Sequence, residues 1–269
     1  MKINTTYNEN CLDTMGRMKD NFIDLTITSP PYDNLRSYND DIDKSWNEDV
    51  WKSIIKELYR VTKEGGVVVW VVGDATIKGS ETGTSFKQAL FFMECGFRLH
   101  DTMIYKKNSY PFPPSNRYYQ QFEYMFVFSK GSPKSFNGLK QDTKWRKSQK
   151  EISTTRQKDG STKEMKYAKG KSKRLMDNVW DLNTGYMRST KDKVAYQHSA
   201  IFPEQLANDH ILSWSNEGDL VYDCFMGSGT TAKMSLVNGR DFIGSELSSE
   251  YCDIISERIA GIQSKLTYE

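Results

Sequence analysis

Four consecutive residues, Ser29 to Tyr32, carry groups that could hold a planar base with an exocyclic amino group. Pro30 and Pro31 fix the backbone at a φ of about −65° and have no N–H, so the carbonyls around them are left to accept hydrogen bonds. Ser29 Oγ and the Pro30 carbonyl could accept the two N–H hydrogens of the amine while the Tyr32 ring stacks on the base, as extruded bases are held. The same tetrapeptide is also typical of an ordinary turn.

A glycine turn at residues 219–232, with the sequence DLVYDCFMGSGTTA, is the second candidate element. Gly227 and Gly229 permit positive φ and close backbone approach, and the first N–H groups of the helix-compatible stretch that follows are unpaired. A second apolar run at 241–246 ends in Glu246, where nucleotide-binding units place a carboxylate for ribose hydroxyls. The pattern predicts a cofactor site with Glu246 as the ribose ligand.

The glycine spacing also matches the dinucleotide pattern of dehydrogenases, so an NAD-dependent dehydrogenase is one alternative. Only 40 residues follow Gly229, which is enough for one more strand and one helix. Because a dinucleotide domain needs two βαβαβ halves, the remaining strands must come from the N-terminal part of the chain.

The elements that must position these motifs alternate between apolar runs and helical patterns. Apolar runs predict strands at residues 23–28, 67–72, 103–105, 124–128, 220–223 and 242–245. Helical spacing predicts helices at residues 50–62, 85–95 and 248–262, with Gly65-Gly66 ending the first of these units. This alternation indicates an α/β fold with a mostly parallel sheet and helices on both faces.

Together the two motifs resemble those of the DNA amino-methyltransferases, which move a methyl group from S-adenosylmethionine to an exocyclic nitrogen. That family carries Asp/Asn/Ser-Pro-Pro-Tyr/Phe as its catalytic tetrapeptide and Asp-Pro-Phe-x-Gly-Ser-Gly-Thr as its cofactor loop. The catalytic motif here comes first and the cofactor motif last, an order similar to the β group of the family. The resemblance spans nearly the whole chain and implies a Rossmann-like methyltransferase fold with circularly permuted motifs, S-adenosylmethionine as cofactor and double-stranded DNA as substrate.

The resemblance also implies roles for individual residues. The implied catalytic residues are Ser29, Pro30, Pro31 and Tyr32, and the implied cofactor-binding residues are Asp223, Phe225, Gly227, Ser228, Gly229, Thr230, Glu246, Asn10, Ser199, Phe202 and Pro203. Asn10 stands where the family has an Asp that contacts the adenine amine, and Cys224 replaces the usual proline of the cofactor loop. Pro203, in a segment similar to the family's His-x-Ala-x-Phe-Pro, is predicted as a first-turn residue of a helix.

Basic charge is concentrated in one block, residues 130–174, which holds fifteen Lys or Arg and four Asp or Glu. The whole chain has a net charge of +2, so the remainder is acidic. The block suits phosphate contacts, and the alternative is a solvated surface loop. We therefore predict a catalytic half at 1–129, a target-recognition insertion at 130–180 and a cofactor-binding half at 181–269. The predicted DNA contacts are Arg36, Lys144, Arg146, Lys147, Lys171, Lys173 and Arg174.

Serine at position 29 is, by resemblance, more typical of enzymes that methylate cytosine N4, whereas aspartate is more typical of adenine N6. The prediction is therefore an N4-cytosine methyltransferase, with N6-adenine as the alternative. Methylation at cytosine C5 needs a thiolate nucleophile, which in that family follows a proline, and none of the four cysteines does so. An RNA or protein acceptor and a DNA-binding protein without catalysis remain open.

Composition sets the remaining expectations. With 37% hydrophobic residues the chain can form a substantial core. It has no run of about eighteen apolar residues and no signal-peptide pattern, so a soluble cytoplasmic protein with no membrane association is expected. The four cysteines and three histidines show no metal-ligand spacing, and no metal is expected. A monomer or a homodimer is expected, and the resemblance allows a cognate restriction endonuclease as a partner.

Overall fold

The computed structural model describes residues 1–31, 46–108, 116–142, 152–166, 173–198 and 200–266. The chain divides into two compact units, of which the larger comprises Met1–Asn137 and Asn178–Glu269 and the smaller comprises Gly138–Asp177. The strands in the described ranges are β1 Thr5–Tyr7, β2 Ile23–Thr28, β3 Thr62–Val72, β4 Thr76–Ile77, β5 Ser80–Glu81, β6 Arg98–Lys107, β7 Phe122–Ser129, β8 Lys140–Asp142, β9 Ile152–Arg156, β10 Thr162–Lys166, β11 Lys173–Leu175, β12 Val179–Leu182, β13 Leu220–Asp223 and β14 Asp241–Ser245. The helices are α1 Cys11–Gly16, α2 Glu48–Val61, α3 Thr84–Glu94, α4 Glu204–Trp214, α5 Thr230–Val237 and α6 Ser249–Leu266, with a 3-10 helix at Lys193–Gln197.

The larger unit is built on one eight-stranded sheet with the order β1-β14-β13-β2-β3-β7-β6-β12. β7 pairs antiparallel with both of its neighbours, and the other pairs in this sheet are parallel. β13 lies beside β2, with Val221 opposite Leu25 and Tyr222 opposite Thr26. The sheet therefore joins the N-terminal and C-terminal parts of the chain at its centre, as the mostly parallel α/β prediction requires.

The central strands are buried along their whole length because the sheet is covered on both faces at this point. Every residue of β2 and of β13 is buried. Beside them α2 buries Trp51, Ile54 and Leu58, whose spacing of three to four residues places them on one face of the helix. The helix begins at its cap Asn47, whose Oδ1 accepts a hydrogen bond of 3.1 Å from the Val50 N–H.

One boundary differs from the sequence prediction. Gly65 and Gly66 were expected to end the α2 unit, but α2 ends at Val61 and both glycines lie inside β3. A Cβ on Gly66 would lie 2.8 Å from Thr62 Cγ2, and a Cβ on Gly65 would lie 2.9 Å from Lys134 Cβ. The glycines therefore serve close backbone packing within a strand rather than a helix stop.

The smaller unit, Gly138–Asp177, consists of two antiparallel pairs among its described residues. β8 pairs with β11, and β9 pairs with β10. The turn between β9 and β10 contains Gly160 at φ +84°, and the Asp159 carboxylate accepts hydrogen bonds from both the backbone N–H and the hydroxyl of Ser161. This arrangement is typical of a tight hairpin turn.

Nowhere in the ranges that the structure describes is there a helix long and apolar enough to cross a membrane.

Candidate active site

A cavity of about 850 Å³ lies where β2, β13 and β14 end. Ser29 and Pro31 line it from the segment after β2, Phe225 and Gly227 from the turn after β13, and Glu246 from the end of β14. The carboxyl ends of neighbouring parallel strands meet at one edge of a sheet, which is where α/β folds bind ligands. The structure thus brings the Ser-Pro-Pro segment and the glycine turn into one cavity of the size that small-molecule sites have.

The Ser-Pro-Pro segment is held at the end of a buried strand. Ser29 and Pro31 are half-buried and line the cavity, whereas Pro30 is buried between them. Thr28, the last residue of β2, donates a hydrogen bond of 2.6 Å from Oγ1 to Asp223 Oδ1. Tyr32 lies outside the described residues.

Asp223 is the residue that links the two motifs. Its Oδ1 accepts from Thr28 and, at 3.0 Å, from the Phe225 N–H, while its Oδ2 accepts from Thr231 Oγ1 at 2.7 Å. Burial raises the pKa of Asp223, and these hydrogen bonds oppose that shift. The carboxylate does not line the cavity. Its observed role is to hold the turn after β13 against the end of β2.

The glycine turn is shaped by two positions with positive φ. Gly227 has φ +54°, and a Cβ there would lie 3.0 Å from His198 Nε2. Gly229 has φ +81° and caps the N-terminus of α5, and a Cβ there would lie 2.9 Å from Ile255 Cγ1. Gly227 lines the cavity and Gly229 does not. Both positions require glycine because the conformation and the close packing exclude a side chain.

Glu246 closes the turn from the neighbouring strand. Its Oε2 accepts a hydrogen bond of 2.8 Å from the Gly227 N–H, and its Oε1 accepts one of 2.9 Å from the Ser248 N–H. Burial raises the pKa of Glu246, and these backbone hydrogen bonds oppose that shift. Each carboxylate oxygen has a second lone pair, so Glu246 can still accept from a hydroxyl in the cavity.

A buried network of charges supports the turn from behind. The Arg258 side chain is fully buried and donates to the Ser228 carbonyl at 2.5 Å. It also pairs with Asp192 at 3.0 Å and Glu204 at 2.8 Å, and Lys233 pairs with the same two carboxylates. This network has no signal in the sequence, because its members are separated by up to 66 residues and form no local motif.

The segment before α4 also reaches the cavity. Phe202 and Pro203 line it, and Thr230, which does not, donates from Oγ1 to the Phe202 carbonyl at 3.3 Å. Pro203 is the cap that precedes the first residue of α4 rather than the predicted first-turn residue. Ser199 lies outside the described residues. Its neighbour His198 lines the cavity, and its Nδ1 accepts from the Ala200 N–H at 2.9 Å.

Asn10 lines the cavity as the cap of α1. Its Oδ1 accepts a hydrogen bond of 2.9 Å from the Leu12 N–H. The carbonyl expected to accept from the adenine amine therefore already has one donor, and its second lone pair is the only one left for that role.

A family model described as DNA methylase matches residues 23–257. The chain belongs to the DNA methylase family. It is 57% identical to the orphan methyltransferase M.BamHII of Bacillus amyloliquefaciens, over 90% of this chain and 92% of that protein. It is 28% identical to the type II methyltransferase M.MthZI of Methanothermobacter thermautotrophicus, over 94% of this chain and 75% of that protein. The predicted family, that of the N6 and N4 amino-methyltransferases, is confirmed.

Solved structures share the fold of this methylase. The PvuII DNA methyltransferase (cytosine-N4-specific) matches with a TM-score of 0.70 at 20% identity, over 97% of this chain and 90% of that chain. The complex of M1.HpyAVI with SAM matches with a TM-score of 0.60 at 21% identity, over 95% of this chain and 98% of that chain. The predicted methyltransferase fold is thereby confirmed.

Two thiols line the cavity of the methylase, those of Cys11 and Cys224. Burial raises the pKa of Cys11 to about 12 and raises that of Cys224 well above its ordinary value. Both are therefore neutral thiols at physiological pH and are unsuited to the covalent addition that C5 methylation requires.

The cavity is also lined by residues from β6, β7 and the segment after β12, none of which belongs to a predicted site motif. Tyr105 and Lys107 lie on β6, Glu123 lies on β7, and Thr184 and Tyr186 follow β12. Lys107 Nζ lies 2.8 Å from Glu123 Oε1. No short motif contains these residues, since they lie on β6, on β7 and after β12. Knowledge of the sheet order is needed to predict that they share a cavity.

Of the predicted DNA contacts, two lie in the described part of the methylase. Lys173 and Arg174 are exposed on β11, and Arg174 forms a two-point ion pair with Asp177, with N–O distances of 2.5 and 2.7 Å. The others lie outside the described residues, and these are Arg36, Lys144, Arg146, Lys147 and Lys171.

Proposed function

We propose that this DNA methylase transfers a methyl group from S-adenosylmethionine to N4 of an extruded cytosine in double-stranded DNA. The observation that carries the proposal is that Ser29 and Glu246 line the same cavity. A candidate acceptor site and a candidate cofactor site are therefore contiguous. The serine at position 29 and the similarity to a methyltransferase whose name specifies cytosine N4 support cytosine over adenine.

The residues of the cavity fit S-adenosylmethionine, the methyl donor of this family. Glu246 offers carboxylate lone pairs for ribose hydroxyls, and Phe225 and Phe202 offer apolar surface for the adenine. Gly227 and His198 both line the cavity, and a Cβ on Gly227 would lie 3.0 Å from His198 Nε2. A side chain at residue 227 would therefore fill the space between these two residues. When bound, the cofactor supplies an electrophilic methyl group, whose bond to sulfur breaks with the electron pair left on sulfur as the bond to nitrogen forms.

The role of the protein is to prepare the amine. The nitrogen lone pair of an exocyclic amine is delocalised into the ring, which makes the amine a weak nucleophile. Hydrogen bonds from its two N–H groups to Ser29 Oγ and the Pro30 carbonyl favour a tetrahedral nitrogen with a localised lone pair. The methylated nitrogen then carries a positive charge and loses one proton to water. Stacking on Tyr32 contributes about 1 to 3 kcal/mol to holding the base.

The base that is methylated can be identified directly. The chain would be expressed in a host without DNA methylation, and the DNA would be digested to nucleosides and analysed by mass spectrometry. We expect N4-methylcytosine. N6-methyladenine as the sole modified base would contradict the choice of cytosine, and the absence of any methylated base would contradict the proposed function.

A substitution at Ser29 tests the site itself. Ser29→Ala removes one of the two acceptors of the amine, and we expect the methylation rate to fall about 100-fold or more with little change in the S-adenosylmethionine affinity measured by calorimetry. Ser256→Ala, which removes an exposed hydroxyl on α6, is the control. Full activity in Ser29→Ala would exclude Ser29 from the acceptor site.

We also propose that the basic segment at 130–180 supplies the phosphate contacts that hold DNA. Its fifteen positive residues would give binding that weakens steeply with salt. A cognate restriction endonuclease and a monomeric or homodimeric state stay predictions.

A further inference from the structure

We propose that the ion pair of Lys107 and Glu123 forms the part of the cavity that recognises the acceptor base, with Lys107 donating to the cytosine O2. This inference rests on the proposed function. The residues assigned to base selection lie on one side of β2 in the strand order, and the candidate cofactor-binding residues lie on the other side.

The sheet order places the pair on that side. β2, which leads into Ser29, has β13 and β14 on one side and β3, β7 and β6 on the other. The candidate cofactor residues follow β13 and β14, whereas Glu123 is the second residue of β7 and Lys107 is the last residue of β6. Because β7 runs against its neighbours, its first residues lie at the same sheet edge as the last residues of β2 and β6.

The distance across this part of the sheet suits a base. β7, which carries Glu123, is two strand spacings from β2, which is about 10 Å, and β6, which carries Lys107, is three spacings from β2. The Lys107 side chain reaches back toward β7, where its Nζ lies 2.8 Å from Glu123 Oε1. The span between β2 and β7 accommodates one aromatic ring with a hydrogen bond of about 3 Å at each end. A ring held at Ser29 by its amino group would therefore extend its other polar atoms toward Lys107 and Glu123.

The pair faces the cavity rather than open solvent. Lys107 and Glu123 both line it, and their side chains are only 23% and 14% exposed. The Nζ–Oε1 distance is 2.8 Å. Glu123 compensates the charge of the lysine and fixes the direction of its ammonium group, so Glu123 is a positioning residue for Lys107.

The donor set matches cytosine. With its amine at Ser29, cytosine has two acceptors left on that edge, N3 and O2. Lys107 has three N–H donors and directs one at Glu123, so two can be directed at the base. Adenine presents a ring nitrogen in the corresponding place but no carbonyl oxygen, so a contact to O2 distinguishes the two bases. Recognition of the edge of an extruded base by such contacts is the general means of selection.

The test combines a protein variant with a base analogue. Duplex DNA carrying the site mapped from the methylated host DNA would contain either cytosine or 2-thiocytosine, whose sulfur is a weak acceptor, at the target position. We expect Lys107→Met to lower kcat/KM about 10- to 100-fold on cytosine. We expect the analogue to lower the wild-type value, and to lower the Lys107→Met value by less than threefold, because the contact is already lost.

Two controls separate recognition from structural support. Lys106→Met removes the neighbouring lysine, whose ion pair with Asp181 is exposed and outside the cavity, and we expect the wild-type response to the analogue. Glu123→Gln keeps the shape of the side chain, and we expect it to reduce kcat/KM with unchanged S-adenosylmethionine affinity. These affinities and the Tm of each variant report on folding.

Independent, multiplicative effects of Lys107→Met and the analogue would overturn the proposal, as would an unchanged kcat/KM in Lys107→Met. Failure of the proposed function would already be visible with the wild-type protein in the nucleoside assay. In that case the assay would detect no methylated base, or only N6-methyladenine, before any variant is tested.

Discussion

At the scale of single residues, Asp223 connects the two halves of the site. Its carboxylate accepts hydrogen bonds from the end of β2 and from both sides of the glycine turn. Three donors directed at two oxygens satisfy a carboxylate well, and no uncharged side chain of similar shape offers two acceptor atoms. We therefore regard Asp223 as the residue that holds the Ser-Pro-Pro segment and the glycine turn together.

Asp223→Asn tests this connection. The amide nitrogen cannot accept from Thr231 Oγ1 as Oδ2 does, so we expect the free energy of unfolding to fall by about 1 to 3 kcal/mol. We also expect weaker S-adenosylmethionine binding, because the turn loses its link to β2. Urea denaturation and calorimetry measure the two effects. Asp181→Asn, at an exposed ion pair, is the control, and an equal effect of both substitutions would contradict the role of Asp223.

The sequence predicted the residues of the site unequally. Ser29, Gly227 and Glu246 lie in short motifs, so neighbouring residues in the sequence indicate their chemistry. The structure places all three around one cavity. Arg258 and Lys107 carry no such signal. Their positions matter only because distant segments pack against them, and a single sequence does not contain that information in local form.

At the scale of elements, the turn between β13 and α5 depends on glycine conformation and on the close approach of α6. Gly229 combines a positive φ with a contact to Ile255 that leaves no room for a Cβ. Gly218 has a similar φ of +78°, but a Cβ there would meet no atom within 4 Å. The two positions therefore separate the cost of the conformation from the cost of the contact.

We expect Gly218→Ala to lower the free energy of unfolding by about 1 to 2 kcal/mol, since only the conformation is disfavoured. Gly229→Ala should cost more and should also weaken S-adenosylmethionine binding, because the Cβ displaces α6 or the turn. Thermal unfolding and calorimetry provide both values. Equal stability losses, with unchanged affinity in Gly229→Ala, would show that α6 does not constrain the turn.

The sequence predicts the strands that are buried, because burial gives them a continuous apolar run. It does not predict strands that are partly exposed and form only because they pair with a neighbouring strand. The predictions at 23–28 and 220–223 match β2 and β13. β1 has three half-buried residues and β12 alternates between exposed and buried, so neither has a continuous apolar run. Each is a strand because it pairs with a neighbour distant in sequence, β14 and β6 respectively.

At the scale of the whole molecule, His210 links stability to pH. It is fully buried on α4, with Nε2 3.3 Å from Met125 Sδ and its ring 4.6 Å from that of Trp180. Burial lowers the pKa of His210 to about 3. Between that value and the ordinary 6.5, the unfolded chain binds a proton at this residue and the folded chain does not. The unfolded state is therefore favoured as the pH falls through this range.

We expect His210→Phe to reduce the loss of stability on acidification. The wild-type free energy of unfolding should fall more steeply between pH 6 and pH 4 than that of the variant, by up to about 1.4 kcal/mol per pH unit. Urea denaturation at several pH values measures the difference in the free energy of unfolding between wild type and variant. The carboxyl groups are the same in both proteins, so their contributions cancel in this difference. His100→Phe, which removes an exposed imidazole, is the control. Parallel curves for wild type and His210→Phe would contradict the assignment.

The pairing of β2 with β13 also has a consequence for synthesis of the protein on the ribosome. Thr28 and its partner Asp223 are 195 residues apart, so β2 is made long before the strand that covers one of its edges. During that interval a buried-type apolar strand has an unpaired edge, which is the kind of surface that leads to aggregation and recruits chaperones. The cavity of the candidate site is lined by residues that follow β2 and β13, so it cannot assemble until β13 has left the ribosome. We therefore expect a nascent chain that lacks the C-terminal segment to be unable to methylate DNA, so that the timing of translation limits when the enzyme becomes active.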